Sequence, residues 1–131
     1  MPAQKIELIL MRQLADSLSF AAFLTDTQGN LLFYNEAAEE LLGRRFEETG
    51  VMPVEKWSTI FNPVDESNNP MPPEKLPLVK TLTTQRPAHG SFWIKSLKGD
   101  IKKISVTSIP LIGRPNRFVG AVAFFWKKIE E

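Results

Sequence analysis

The sequence has no cysteine and a single histidine. The first absence excludes disulfides, thiolate zinc sites, iron–sulfur clusters and a cysteine nucleophile. The second leaves His89 without the neighbours that chemistry needs. Metal-assisted hydrolysis takes clustered His, Cys or carboxylate ligands, and no Ser–His pair carries a local triad signature. No G-x-x-x-x-G-K phosphate loop occurs. Long apolar runs are missing too: Ile6 to Met11 is too short for a signal peptide or membrane span, contains Glu7 and is followed by Arg12. These absences point away from catalysis, with no catalytic or metal-ligating residue to name, and toward a chain that is neither exported nor anchored. A reducing cytoplasm is its expected home.

What is present suits one folded domain. A chain of 131 residues can bury a single core but not two. Its 43% hydrophobic and 24% charged residues argue against disorder. The net charge of +1 is unevenly laid: residues 1–66 hold five Lys/Arg against eleven Asp/Glu, net −6, and residues 67–131 hold eleven against four, net +7. A basic half can face nucleic acid or an anionic ligand. No arginine-rich helix or lysine-interleaved aromatic run supports that use, so complementary surfaces within one fold or one dimer are the simpler reading.

Ala21 to Gly43 changes hydrophobic period twice. Two short apolar runs, Ala21–Thr25 and Leu31–Tyr34, flank the polar turn Asp26-Thr27-Gln28-Gly29-Asn30, which reads as a β-hairpin. From Asn35 the pattern is helical, with Ala37, Ala38, Leu41 and Leu42 on one face until Gly43 stops it. Asn35 is expected to cap that helix and Asp26 to organise the turn.

Residues 4–19 read as an amphipathic helix with a wide stripe of Ile6, Ile9, Leu10, Met11, Leu14 and Leu18. Such a helix must lie on its own domain or on the same helix of a second copy. The chain is therefore divided into this lid or dimerisation helix, 1–19, and one domain, 20–131.

Residues 51–88 contain seven of the ten prolines, which allows only short helical turns before Pro72. Val54 to Phe61 is expected to form one or two turns with Trp57 and Phe61 inward. Asp65 to Pro70 reads as a surface turn without calcium-loop spacing. Pro72-Pro73 opens a helix over Glu74 to Thr84 with Leu76, Val79 and Leu82 toward the core.

Three strands close the chain: His89–Leu97, Ile101–Leu111 after the Lys98-Gly99-Asp100 turn, and Arg117–Lys127 after Gly113–Asn116. The last strand is apolar on both faces, with Phe118, Gly120, Val122, Phe124 and Trp126 in one row and Val119, Ala121, Ala123 and Phe125 in the other. Such a strand needs cover on both sides. The bulky row is expected to fill the main core, and the alanine row to let the N-terminal helix approach. The expected fold class is α+β: a five-stranded antiparallel sheet with helices on one face and the N-terminal lid helix on the other.

LTDTQGNLLFYNEAAEELLG at 24–43, PMPPEKLPLVKTL at 70–82 and LKGDIKKISVTSIPLIGRPNRFVGAVAFFW at 97–126 together resemble a PAS domain. The likeness runs from Leu14 to Trp126. It implies a sensory and dimerisation module of signalling proteins, of the kind associated with histidine kinases or transcription regulators, with a five-stranded sheet and an N-terminal helix that pairs two copies. Many members end in Asp-Ile-Thr, a motif that helps couple the sheet to an output helix. Here that place is held by Lys127-Lys128-Ile129. Coupling to a downstream domain is thus not implied, and the chain is expected to be either free-standing or a piece of a larger signalling protein.

The resemblance also suggests cofactors. Flavin light sensors of this family use a cysteine, so cysteinyl-flavin photochemistry is excluded. Haem sensors commonly take a histidine from the helix before the third strand. Glu74 to Thr84 has none, which leaves a haem or other cofactor sensor using His89 as the alternative, and a small enzyme on an α+β scaffold as the third reading. A small apolar ligand is expected between the sheet and the long helix, against Phe23, Thr25, Leu76, Val79, Phe92, Ile94, Ile104, Val106, Ser108, Phe118, Val122 and Phe124. Simple filling of that space by these side chains is the competing expectation. The homodimer contact is expected to use Ile6, Ile9, Leu10, Met11, Leu14, Leu18, Trp93, Ala121, Ala123 and Phe125. A signalling protein is a further expected partner; nucleic acid and membrane are not.

Overall fold

The computed structural model describes residues 6–60, 62–95, 101–113 and 116–127. Expectations for residues 4–5, Phe61, the strand end at residues 96–97, the turn at Lys98-Gly99-Asp100, residues 114–115 and Lys128-Ile129 lie outside them.

The first hairpin forms as its composition dictates. Strands β1 (Ala21–Thr25) and β2 (Leu31–Tyr34) are joined by a turn in which Asp26 Oδ1 accepts from the Gln28 and Asn30 amides, both at 3.0 Å. Gly29 sits at φ 86°, a conformation that favours glycine. Helix α2 (Glu36–Leu42) follows, capped by Asn35, whose Oδ1 accepts from the Ala38 amide at 3.1 Å, and closed by Gly43 in the left-handed region. The proline-rich stretch allows α3 (Phe46–Thr49) and α4 (Val54–Ile60), each two turns or less.

The expected long helix over Glu74 to Thr84 is broken. A 3-10 turn covers Pro73–Lys75, Leu76 is extended at ψ 135°, and helix α5 runs only over Pro77–Thr84. Pro77 causes the break, because a proline disfavours helical geometry in the residue before it and suits the first helical position itself. Strands β3 (Ala88–Lys95), β4 (Ile101–Gly113) and β5 (Arg117–Lys127) then complete a five-stranded antiparallel sheet in the order β2-β1-β5-β4-β3. Each edge strand takes one isolated bridge from the connecting segments: Val64 pairs with Trp93 of β3, and Met52 with Leu31 of β2.

One face of the sheet carries α2, α4 and α5 over the main core. Helix α1 (Ile6–Ser17) lies on the other, where Leu8 and Ala15 pack with Ala22, Leu24, Phe33 and Val122. The two rows of β5 are reversed from expectation. Ala121, Ala123 and Phe125 belong to the main core, and Val122 and Phe124 to the α1 side. The reason is where bulk is supplied. Phe23, Trp57 and Phe92 fill the core from neighbouring elements, so β5 needs only small residues there. On the other face the helix needs a bare backbone, which Gly120 gives: a Cβ at that position would overlap the Thr25 carbonyl oxygen and press on Leu8.

Of the ion pairs among the described residues, Glu7–Arg117 at 3.4 Å joins the acidic and basic halves of the chain, while Arg44–Glu48 and Arg45–Glu47 are local. No helix among the described residues is long and apolar enough to cross a membrane.

Candidate functional site

Between the inner sheet face and its helices lies a cavity of about 70 Å³. Its floor is Phe23 of β1, Phe92 and Ile94 of β3, Ile104 and Val106 of β4, and Ala123 and Phe125 of β5. Its roof is Leu42 of α2, Trp57 and Ser58 of α4, Pro63, and the Leu76-Pro77-Leu78 entry to α5. Strand alternation puts the floor residues on one face. The extended Leu76, imposed by Pro77, turns the start of α5 over them. A single water needs roughly 10–15 Å³ of such space, so this cavity exceeds a water's size several-fold.

Six of the residues expected to line a ligand space do line it: Phe23, Leu76, Phe92, Ile94, Ile104 and Val106. The other six do not. Val122 and Phe124 lie on the opposite face with α1, and Phe118 is half-buried beyond the register shift at Leu111/Ile112. Val79 is half-buried against the main core without lining the space. Thr25 is buried with its hydroxyl 3.5 Å from the Ala121 carbonyl. Ser108 is bound to α5, 2.6 Å from Thr81 Oγ1 and donating to the Pro77 carbonyl at 2.9 Å. Both expected polar contributors are therefore engaged in holding the fold.

Ser58, which sequence reasoning missed, is the one residue with a hydroxyl among the described lining residues, but that hydroxyl oxygen is sealed from the space. It is 1% exposed, and its Oγ has no hydrogen-bond partner among the described residues. Trp57 beside it is already engaged, its Nε1 donating to the Gly29 carbonyl at 2.7 Å. Among the described residues no ionisable side chain lines the cavity. The one signal in the sequence was a serine next to a tryptophan expected to point inward.

His89 is exposed on the outer face, its Nδ1 2.8 Å from Thr107 Oγ1, with the sheet between it and the cavity. It does not fit as an axial ligand to a group held in that cavity, and the space is far too small for a haem. Among the described residues no group of three His, Cys, Asp or Glu side chains could hold a metal ion.

The residues expected at a dimer contact divide. Ala121, Ala123 and Phe125 are interior and cannot serve there. Met11 and Leu18 are half-buried, Met11 within the cluster under α1. Ile6, Ile9, Leu10 and Leu14 face solvent, with Ile6 66% and Leu10 56% exposed. Trp93 is half-buried on the outer face of β3, with Lys103 Nζ 4.7 Å from its ring centre.

No curated protein matches the chain. Its fold is similar to that of a PAS domain from Colwellia psychrerythraea (TM-score 0.62, 20% identity, 92% of this chain and 96% of that one). It is similar also to the PAS domain of Bordetella pertussis BvgS (TM-score 0.64, 14% identity, 95% and 87%). A PAS domain from a two-component sensor histidine kinase superposes with TM-score 0.60 at 14% identity, over 94% of this chain and 97% of that one. The family model described as PAS domain matches residues 10–77, from α1 to the first residue of α5. With that match over half its length and the five-stranded sheet completing the fold, the chain belongs to the PAS domain family of sensory and signalling modules.

Proposed function

We propose that this chain is a non-enzymatic sensor or interaction module of cytoplasmic signal transduction, working as a homodimer, with a small apolar or weakly polar molecule as its signal. The observation that carries this reading is the cavity. A close-packed interior rarely leaves such a space, and a predominantly apolar wall is how small-molecule sites are built. The lack of an ionisable side chain in that wall, among the described residues, is what supports binding over catalysis.

The homodimer is supported by Ile6, Ile9, Leu10 and Leu14, which the sheet leaves uncovered, together with Trp126 at 40% exposure on the outer face of β5. A guest between sheet and roof would bias the sheet's shape, and α1, seated on the other face at Gly120, would follow it to the partner. A signalling protein such as a histidine kinase or transcription regulator would read that change; the likeness to a histidine kinase's PAS domain supports the direction of this reading.

Native mass spectrometry of freshly purified protein tests both parts. A dimer mass that falls to monomer in Leu10→Lys/Leu14→Lys, with a small adduct retained, is expected. A monomer at all concentrations overturns the homodimer, and failure of every added small apolar compound to bind overturns the ligand role.

A further inference from the structure

We infer that the cavity takes a nonpolar molecule of two or three non-hydrogen atoms, a dissolved gas or a light hydrocarbon, and excludes polar molecules of the same size. This rests on reading the cavity as a ligand site, and it adds which ligands that site can accept. The polarity limit comes from the wall. Among the described lining residues only Trp57 and Ser58 carry a polar side-chain atom. Trp57 Nε1 already donates to the Gly29 carbonyl at 2.7 Å, and Ser58 Oγ is sealed from the space. Pro63 and Pro77 have no amide hydrogen to offer, and the Pro77 carbonyl accepts from Ser108. A buried water needs about two to four polar partners, and an alcohol or amide needs at least one. Neither finds a side-chain partner here, so each would give up its hydration unreplaced. A nonpolar molecule has no such loss and gains by leaving water.

The size limit comes from the volume. About 70 Å³ is a little over twice one water's share of the liquid, roughly 30 Å³. Two or three non-hydrogen atoms fill it. An aromatic ring is too bulky, and a close-packed floor and roof have little room to give. Ala123 sets one boundary. It is the small residue of β5 on the floor, 2% exposed and set between Phe23 and Ser108 in the sheet register. Two further carbons at this position would stand where a two-carbon guest would.

Chemical-shift titrations of the full chain in solution test both limits. Ethane and methanol have two non-hydrogen atoms each, so the pair isolates polarity, and benzene probes size. Ethane under pressure should give saturable shifts at Phe92, Ile94, Ile104 and Val106, while methanol and benzene give none there. Ala123→Val should weaken ethane binding about tenfold or more, because the added carbons take its place. Should that variant not fold, Val106→Ile, which adds one carbon to the same floor, should weaken it several-fold. Ethane affinity unchanged in the folded variant overturns the placement. Dioxygen under pressure, read by paramagnetic relaxation of the same groups, separates the sources: binding of either supports the class, and the tighter of the two names it as gas or hydrocarbon. Methanol bound as tightly as ethane overturns the polarity limit, and benzene bound among these residues overturns the size limit; both results leave the ligand reading intact. Failure of ethane and dioxygen while another compound binds overturns this inference alone. Failure of every compound overturns the two together.

Discussion

The Asn35 side-chain amide donates to the Ala15 carbonyl at 2.8 Å, which ties the last turn of α1 to the first turn of α2. The same side chain donates to the Phe20 carbonyl at 2.7 Å and accepts from the Ala22 amide at 3.0 Å. A residue expected only to cap a helix thus fixes the path from α1 into the sheet.

Asn35→Ala should destabilise the fold by about 3 kcal/mol, since it orphans three buried backbone groups, at Ala15, Ala22 and Ala38, and the part-buried Phe20 carbonyl. Asn35→Ser keeps the cap alone and should recover only part of that loss. Urea denaturation measures the cost. Hydrogen exchange should show α1 losing protection in both variants, and equal α1 protection in Asn35→Ser and wild type would contradict the tie.

Gly120→Ala should cost about 3 kcal/mol or more, from strain at φ 156° and overlap with the Thr25 carbonyl. Because Leu8 is the other neighbour of the added methyl, α1 should lift from the sheet before the core melts. Thermal unfolding and exchange of the α1 amides check this.

Ser58→Ala should leave the unliganded protein within about 1 kcal/mol of the wild type, on the stabilising side, because the hydroxyl it removes has no partner among the described residues. A buried serine that held the fold together would lose more than this when truncated. Chemical denaturation without added compound distinguishes the two.

Tyr34 is the chain's one tyrosine, so near-ultraviolet tyrosinate absorbance follows it alone. Burial, foremost, raises its pKa above the ordinary 10.0, with Glu39 and Glu48 adding to the rise and the Thr49 hydrogen bond and Arg44 opposing it. The folded state then holds the phenolic proton more tightly than the unfolded state. Its contribution to stability is complete below pH 10.0 and declines as pH rises through the folded-state value. Tyr34→Phe should flatten that decline. At neutral pH it should cost about 1 kcal/mol for the bond from Tyr34 to the Arg44 carbonyl.

The first hairpin, the α2 cap, the pairing of β3 with β4 and their inward faces were legible because alternation and, in the first hairpin, turn chemistry determine them locally. The facing of β5 was not, since both of its rows are apolar and periodicity cannot choose between them. Gly120 carried the missing signal: a strand glycine marks a close backbone approach, and here it marks where α1 crosses. The same ambiguity hid Leu8 and Ala15, the residues of α1 that face the sheet, behind a stripe of larger neighbours. Ser58 was invisible for another reason. A two-turn helix among prolines has too little period to reveal a face.

The placement of the three tryptophans has an optical consequence. Trp57 stands in the cavity roof, while Trp93 and Trp126 lie on the outer sheet face. Emission shielded from aqueous quenchers reports from the interior, and quenchable emission from the surface proposed to meet a second copy. The protein therefore carries two native fluorophore populations, one for each of the two proposed events, and they can be separated in one tube without a label.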